Sequence, residues 1–428
     1  MAFLNVFVEF MSTPTFVMGI VALLGLLLMR NSASTVITGT LKTILGFMIL
    51  SAGSSVIVGS LVTFNSMFDS AFGMTGIVPE DNALVAAVQT VLGFETPMIM
   101  LFSFIVNLIL ARVTPLKYIF LTGHMMFSFA GTMAIVLDQI GVNGWGAVAI
   151  GSLLQGVSMV VFPAIAQPFV RKILKNDSVA FGFWGSSLVC LSGQVGKWAG
   201  KRSRDELDTW EEVKVPDSLG FLKDMSVLMS IIMVIVYLVT GVVAGADAIG
   251  ELSGGTNWIL FIVLQALTFV AGIQILLQGV RMFLGEIVPA FKGISEKLVP
   301  GARPALDIPI FYAAGPVATT IGFLFAVLGG LVATLITTKL GVVVLPGVIG
   351  LFFMGGAAGV FGDKLGGKRG AVVSGAFLGF VFTLMPALFY NLIDVTRYGV
   401  EGLWFASTDA IIVGVLVKLA GMIFGIAA

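Results

Sequence analysis

Histidine, cysteine and charge are what this 428-residue chain has least of. A single cysteine, Cys190, excludes an internal disulfide framework and a metal site built on several thiolates. A single histidine, His124, excludes a histidine-rich metal centre. Both lie in apolar stretches, so the chain has no exposed His or Cys to carry a phosphate relay of its own. No catalytic nucleophile, metal or cofactor is expected. Charged residues make up only 11% of the chain, against ~25% in an average soluble domain. Its 23 basic and 23 acidic residues cancel, which removes the positive excess that a nucleic-acid partner would call for. The sequence GGKRG at 366–370 lacks the Walker A spacing and the strand that must precede it, so nucleotide binding is excluded as well. Charge is replaced by 58% hydrophobic residues, 53 glycines and a mean hydropathy of +1.07. A soluble protein could not hide that much apolar surface. The composition predicts an all-α polytopic membrane protein. Residues 1–12, MAFLNVFVEFMS, lack a basic n-region and an A-x-A-like site, so no removable signal peptide is expected.

A spanning length of about 20 residues gives eleven expected helices, near 13–29, 36–62, 97–113, 118–137, 145–170, 224–245, 256–283, 317–338, 341–361, 370–390 and 404–426. Basic residues of short loops gather on the cytoplasmic side. With the N-terminus outside and the C-terminus inside, 19 of the 23 Lys and Arg residues fall on the inner face. Lys339 and Arg397 fall outside, and Lys42 and Lys418 lie within spans. The outer loops carry Asp69, Glu80, Asp81, Glu95, Asp138, Asp247 and Glu251.

Three stretches do not read as simple spans. Residues 178–196, SVAFGFWGSSLVCLSGQVG, are apolar but have basic clusters at both ends, which predicts a re-entrant loop buried in protein or lining a cavity. Residues 74–97 contain a short apolar helix between polar turns on the outer side. Residues 300–316, PGARPALDIPIFYAAGP, hold four prolines on the inner side and break any helix. Five spans separate the last two stretches, so the halves run in opposite directions, as in an inverted repeat. The expected organisation is a first repeat over 1–197, a cytoplasmic linker over 198–223, a second repeat over 224–403 and a final helix over 404–428. The linker reads either as a solvated connection or as a docking surface for a cytoplasmic partner. Glycine patterns at 355–359 and 420–425 read as close helix contacts.

Four stretches carry a family likeness: RNSASTVITGTLKTILGFMILSAGS at 30–54, IFLTGHMMFSFAG at 119–131, QGVRMFLGEIVPAFKGISEKLVPGARPALD at 278–307 and LPGVIGLFFMGGAAGVFGDKLGGKRGA at 345–371. In these the chain resembles enzyme IIC, the permease subunit of the bacterial sugar phosphotransferase system (PTS), of the ascorbate type. The resemblance implies a multi-pass protein of the bacterial inner membrane. It implies a homodimer of two inverted five-helix repeats with an eleventh helix. It also implies an elevator-type movement in which a core carries the sugar inward past a scaffold, for phosphorylation by a separate enzyme IIB that is charged by IIA. Its sugar contacts would fall on His124 of the LTGH motif, on Asp307, and near Glu80, Asp81 and Asn82. This chain has Ser128 and Phe129 where ascorbate-type members carry glutamines, and Phe183 and Trp184 where they carry a His-Gln pair. The expected ligand is therefore an ascorbate-like sugar or sugar acid.

The residues themselves fit that list. An ionisable side chain at membrane depth is a functional residue by default, and an imidazole can donate to and accept from neighbouring hydroxyls. Asp307 reads either as a ligand group or as a cap on a half-helix. Trp184 could pack in the core or lie against the C–H face of a sugar ring. The rival class is an ion-coupled secondary transporter of a small polar solute, which shares broken helices and a midplane acid.

Overall fold

The computed structural model describes residues 14–72, 76–200, 208–212 and 225–423. The expectation for residues 1–12 and most of the 198–223 linker lies outside them. The first half of the chain contains α1 (Pro14–Leu28), α2 (Ala33–Phe72), β1 (Val78–Pro79), α3 (Asp81–Leu92), α4 (Glu95–Val113), β2 (Tyr118–Phe120), α5 (Gly123–Asp138), α6 (Gly144–Leu174), β3 (Ala180–Phe181) and α7 (Ser186–Gly200). The second half contains α8 (Met225–Ala244), α9 (Ala246–Ser253), α10 (Trp258–Lys297), β4 (Arg303–Leu306), a 3-10 segment (Ile308–Ala314), α11 (Pro316–Lys339), α12 (Val348–Phe389), β5 (Leu403–Trp404) and α13 (Thr408–Ile423).

The architecture is all-α, with strands of only two to four residues. Among the described residues, six helices (α2, α4, α6, α10, α11 and α12) are long and apolar enough to cross a membrane, and α8 with α9, bent by 112°, makes a seventh if taken as one. The protein is a multi-pass membrane protein. Of the eleven stretches expected from hydropathy, six correspond to α2, α4, α6, α8, α10 and α11. Most of the stretch 341–361, from Val348 on, and nearly all of 370–390 fall in α12. That helix reverses at Gly367, whose φ of +67° is open to glycine. A Cβ on Gly362 would stand 2.3 Å from the Gly370 carbonyl oxygen, so the two legs lie side by side. The stretch 118–137 divides into β2 and the 16-residue α5, and 13–29 and 404–426 give the shorter α1 and α13.

The apolar stretch 178–196 folds as a short strand, a turn and a helix. It enters as β3, turns at Gly182–Gly185 and returns as α7. Gly200 at its far end packs on Gly366, while Lys175 and Asn176 before its start share a cavity wall with Lys364. Both ends therefore reach the same region.

Strand in a membrane protein raises a hydrogen-bonding problem, because lipid cannot satisfy exposed backbone groups. The chain solves it twice. β2, β4 and β3 form a parallel sheet with β4 in the middle. Asn107 of α4 bonds the edge strand β2 through Tyr118 O and Phe120 N, each at 3.0 Å, and Gln167 of α6 donates to Val179 O beside β3. On the other side β1 pairs with β5, and Ile77 bridges to Val344. There Thr334 donates to Val344 O at 2.7 Å and Thr337 accepts from Val344 N at 3.2 Å.

The first sheet is anchored at its exposed end by Asp177, which accepts from Arg171 at 2.8 Å and from Arg303 at 2.5 Å. Burial pushes the Asp177 carboxyl up, but hydrogen bonds from Arg171, Gln167 and Arg303 outweigh it and hold the group below the usual carboxylate range. A carboxyl lowered on folding contributes stability above its unfolded value of ~3.9 and loses that contribution as pH falls through its folded value. Melting temperature followed from about pH 6 to about pH 2 should therefore fall more steeply for the wild type than for Asp177→Asn, which has lost the pairing at every pH. Parallel curves would mean that the anchor contributes nothing.

Candidate functional site

The two small sheets point at each other, and the chain segments leaving them enclose a cavity of about 350 Å³. This lies within the ~300–1,000 Å³ of ordinary small-molecule sites. From the β2–β4–β3 side it receives His124, Asp307, Pro309 and Phe183. From the β1–β5 side come Glu80, Asp81, Ala406 and Ser407, with Ile349 and Phe353 from the start of α12. The remaining wall is one face of α2, where Ser51, Ser54, Ser55 and Val58 follow i, i+3, i+4, i+7 spacing.

His124 is the second residue of α5, and its side chain is 44% exposed, facing the cavity rather than hydrocarbon. Its Nε2 lies 3.7 Å from Asp307 Oδ2. Asp307 Oδ1 accepts from Ile308 N at 2.7 Å, so the carboxylate caps the 3-10 segment and still turns its second oxygen toward the imidazole. Of the two roles considered for Asp307, the structure shows the cap; the second oxygen is left facing the cavity. Asp81 is nearly buried; it accepts from Ala406 N at 2.9 Å and from Ser407 Oγ at 2.5 Å. It ties α3 to the start of α13. Glu80 shares the wall and donates its backbone N–H to Trp404 O.

The other expected site residues stand behind this wall or beyond description. Ser128 is fully buried and donates to His124 O at 3.0 Å, one turn along α5. Trp184 is fully buried, stacked on Phe120 at 4.5 Å between ring centroids, and donates its indole N–H to Met125 O at 2.6 Å. Of its two readings, core packing is the one realised in this state: the ring holds the backbone beside His124 and presents no face to the cavity. The side chain of Asn82 lies outside the described residues.

Sequence reasoning missed two features. The serines of SAGSS at 51–55 lie on one face of a membrane helix, a stripe that helical spacing could have revealed. Asp409 could not be found that way. It is fully buried and accepts from Ser186 Oγ at 3.0 Å, from Ser187 N at 3.4 Å and from Ser187 Oγ. It joins α13 to α7 across 222 residues of sequence. Lys42, which called for a partner at its depth, meets Glu286 of α10 at 3.4 Å.

The arrangement offers an imidazole, a half-occupied carboxylate and serine hydroxyls around one recess, a set that can exchange hydrogen bonds with several adjacent hydroxyl groups. Among the described residues no cluster of three or more His, Cys, Asp or Glu side chains could hold a metal ion. The family model described as EIIC-GAT, PTS system sugar-specific permease component, matches residues 9–409. The ascorbate-specific PTS system EIIC component of Mycoplasma pneumoniae is 29% identical over 431 residues, which cover 87% of this chain and 64% of the relative. The chain thus spans slightly less than two thirds of the length of that curated relative.

Proposed function

The chain belongs to the EIIC-GAT family, the sugar-specific permease components of the phosphotransferase system, and from that premise we propose that it carries an ascorbate-like sugar or sugar acid inward for phosphorylation by a separate enzyme IIB. The observation that carries this reading is the recess in which His124 and Asp307 meet the α2 serines at the junction of the two small sheets. His124, Asp307 and the serine hydroxyls bond the sugar's hydroxyls, and Phe183 offers an apolar edge. The ascorbate-specific name of the relative favours that ligand class.

Translocation requires the recess to change sides. The helices divide in a way that supports such a movement. α1, α2 and α10 pack backbone to backbone, as at Gly25 against Ala290 and at Gly53 against Leu276. α7, α11 and α12 do the same at Gly200 against Gly366 and at Gly379 against Ala326. The cavity lies between the two groups, with α2 on one wall and the ends of the broken segments on the other. In this reading the first group is the scaffold, and the second carries the sugar past it in an elevator-type stroke within a homodimer.

The order of elements also favours the inverted repeat. β4 lies between β2 and β3, as the 77–79 segment lies between Val344 and β5. Each broken segment is thus flanked by two segments of the other half. Asn107 serves β2 as Thr334 and Thr337 serve Val344. We divide the chain at the 198–223 linker into repeats over 1–197 and 224–403. The helix of 404–428 follows the second repeat as the eleventh. Eleven crossings with the N-terminus outside follow from the same division and the charge distribution.

The chain's one His and one Cys cannot relay phosphate: His124 serves the recess, and Cys190 is buried. Phosphorylation therefore falls to partner components. Membrane vesicles holding the chain without enzymes IIA and IIB should accumulate no ascorbate, and adding both with phosphoenolpyruvate and the general relay proteins should restore uptake as the sugar phosphate. Accumulation of unmodified sugar on a proton or sodium gradient would reject this reading for the ion-coupled one.

A further inference from the structure

A second and larger cavity, of about 760 Å³, lies beyond the 3-10 segment Ile308–Ala314. Pro309 lines the first cavity, whereas Ile310, Ala313 and Ala314 line the second, so one short segment forms a wall of each. The second cavity opens among the basic residues assigned to the inner face.

Its charge is one-sided for a local reason. Lys175, at the left-handed C-cap of α6, and Lys364 of α12 both line it. The acids beside them are turned elsewhere. Asp177 is drawn to Arg171 and Arg303, and fully buried Asp363 accepts from Trp210 N at 2.9 Å. Lys364 Nζ stands 4.0 Å from Asp363, at the outer limit of an ion pair. Among the described residues Lys175 has no acid within that limit. The opposite wall is Gly285, Val288 and Pro289 of α10. Pro289 has no N–H, so the Gly285 carbonyl loses its usual helical donor four residues on. The lining of one cavity thus includes a carbonyl without its usual helical donor and two lysines, whose ammonium groups suit a dianion.

Building on the permease reading, we infer that this inner cavity is a holding site for the phosphate monoester of a polyhydroxy solute, the product of the transport step. Lys175 and Lys364 take the phosphate, and the Gly285 carbonyl accepts from a hydroxyl. A separate product site keeps the phosphorylated sugar from competing for His124 as it leaves.

The test uses the full chain in lipid nanodiscs. The probes are L-ascorbate 6-phosphate, inorganic phosphate and unmodified L-ascorbate, followed by calorimetry. The ester should bind the wild type whether or not ascorbate is present. The pair Lys175→Asn with Lys364→Gln should weaken it about tenfold or more, consistent with the loss of charge-assisted bonds. Lys364→Arg should retain it, and ascorbate affinity should not move in any variant. Ester binding that is unchanged in the double variant, that excludes ascorbate competitively, or that is no tighter than inorganic phosphate would overturn the inference and leave the permease reading standing. A wild type that binds neither ascorbate nor its ester would remove both.

Discussion

Replacing His124 by alanine lowers the affinity for the transported sugar by roughly ten- to a hundredfold, the loss expected when one or two hydrogen bonds to polar ligand groups disappear at about 1.5–3 kcal/mol for those involving a charged group. The fold should survive. The imidazole is 44% exposed onto the recess, and its one recorded side-chain neighbour, Asp307, keeps its bond to Ile308 N. The bond from Ser128 is made to the His124 backbone carbonyl, which alanine retains. Stability should therefore change by no more than about 0.5 kcal/mol, as for substitutions away from core features. The measurement is sugar binding by purified protein beside its melting temperature. Equal affinity in the two proteins would take His124 out of the site, and a lowered melting temperature with proportionate loss of binding would make it a structural residue.

The largest effect on stability is expected at Gly279. There α2 and α10 touch through their backbones. A Cβ on Gly279 would lie 2.2 Å from Leu50 N, and one on Gly53 would lie 2.3 Å from Leu276 N. Real side-chain atoms do not approach so closely, and backbone cannot rotate away as a side chain can. Gly279→Leu must push the two 40-residue helices apart along a seam that also holds the Lys42–Glu286 pair. Overpacking costs about 1–3 kcal/mol where side chains can give, and here they cannot, so we expect more than about 3 kcal/mol and little monodisperse protein on size exclusion. Gly59→Ala on the same α2 is the control. A Cβ there meets nothing within 4 Å, and alanine should be neutral or stabilise by up to about 1 kcal/mol. A Gly279→Leu protein as stable as the wild type would mean that the helices do not share this seam.

Much of this molecule was legible in its sequence, but unevenly. The long apolar runs of α2, α4, α6, α10 and α11 were plain, because membrane helices of this length are set by composition and bilayer thickness alone. The charges at the ends of 178–196 set that stretch apart from the simple spans, and it folds as strand, turn and helix. The two legs of α12 were read as two stretches, and the chain reverses between them at Gly367. The segment 118–137 was harder. Its hydropathy is that of a span, yet Tyr118–Phe120 is strand, since its hydrogen-bonding partner Arg303–Leu306 lies far along the chain. Hydropathy carries no signal for such pairing.

The same division runs through the site. That the single histidine stands in an apolar segment follows from the residues themselves, and such a group is a functional candidate because its burial in lipid would be costly; Asp307, within a proline-rich break, was singled out by the family resemblance. That His124 faces Asp307 across 3.7 Å, that Trp184 turns inward to Met125, and that Asp409 joins two half-helices came only from tertiary structure. Amino-acid composition decides which segments leave water, because transfer to lipid is a sum over residues. Which polar groups then meet is decided by strand pairing and helix contact between distant segments, and those depend on geometry that no local window contains.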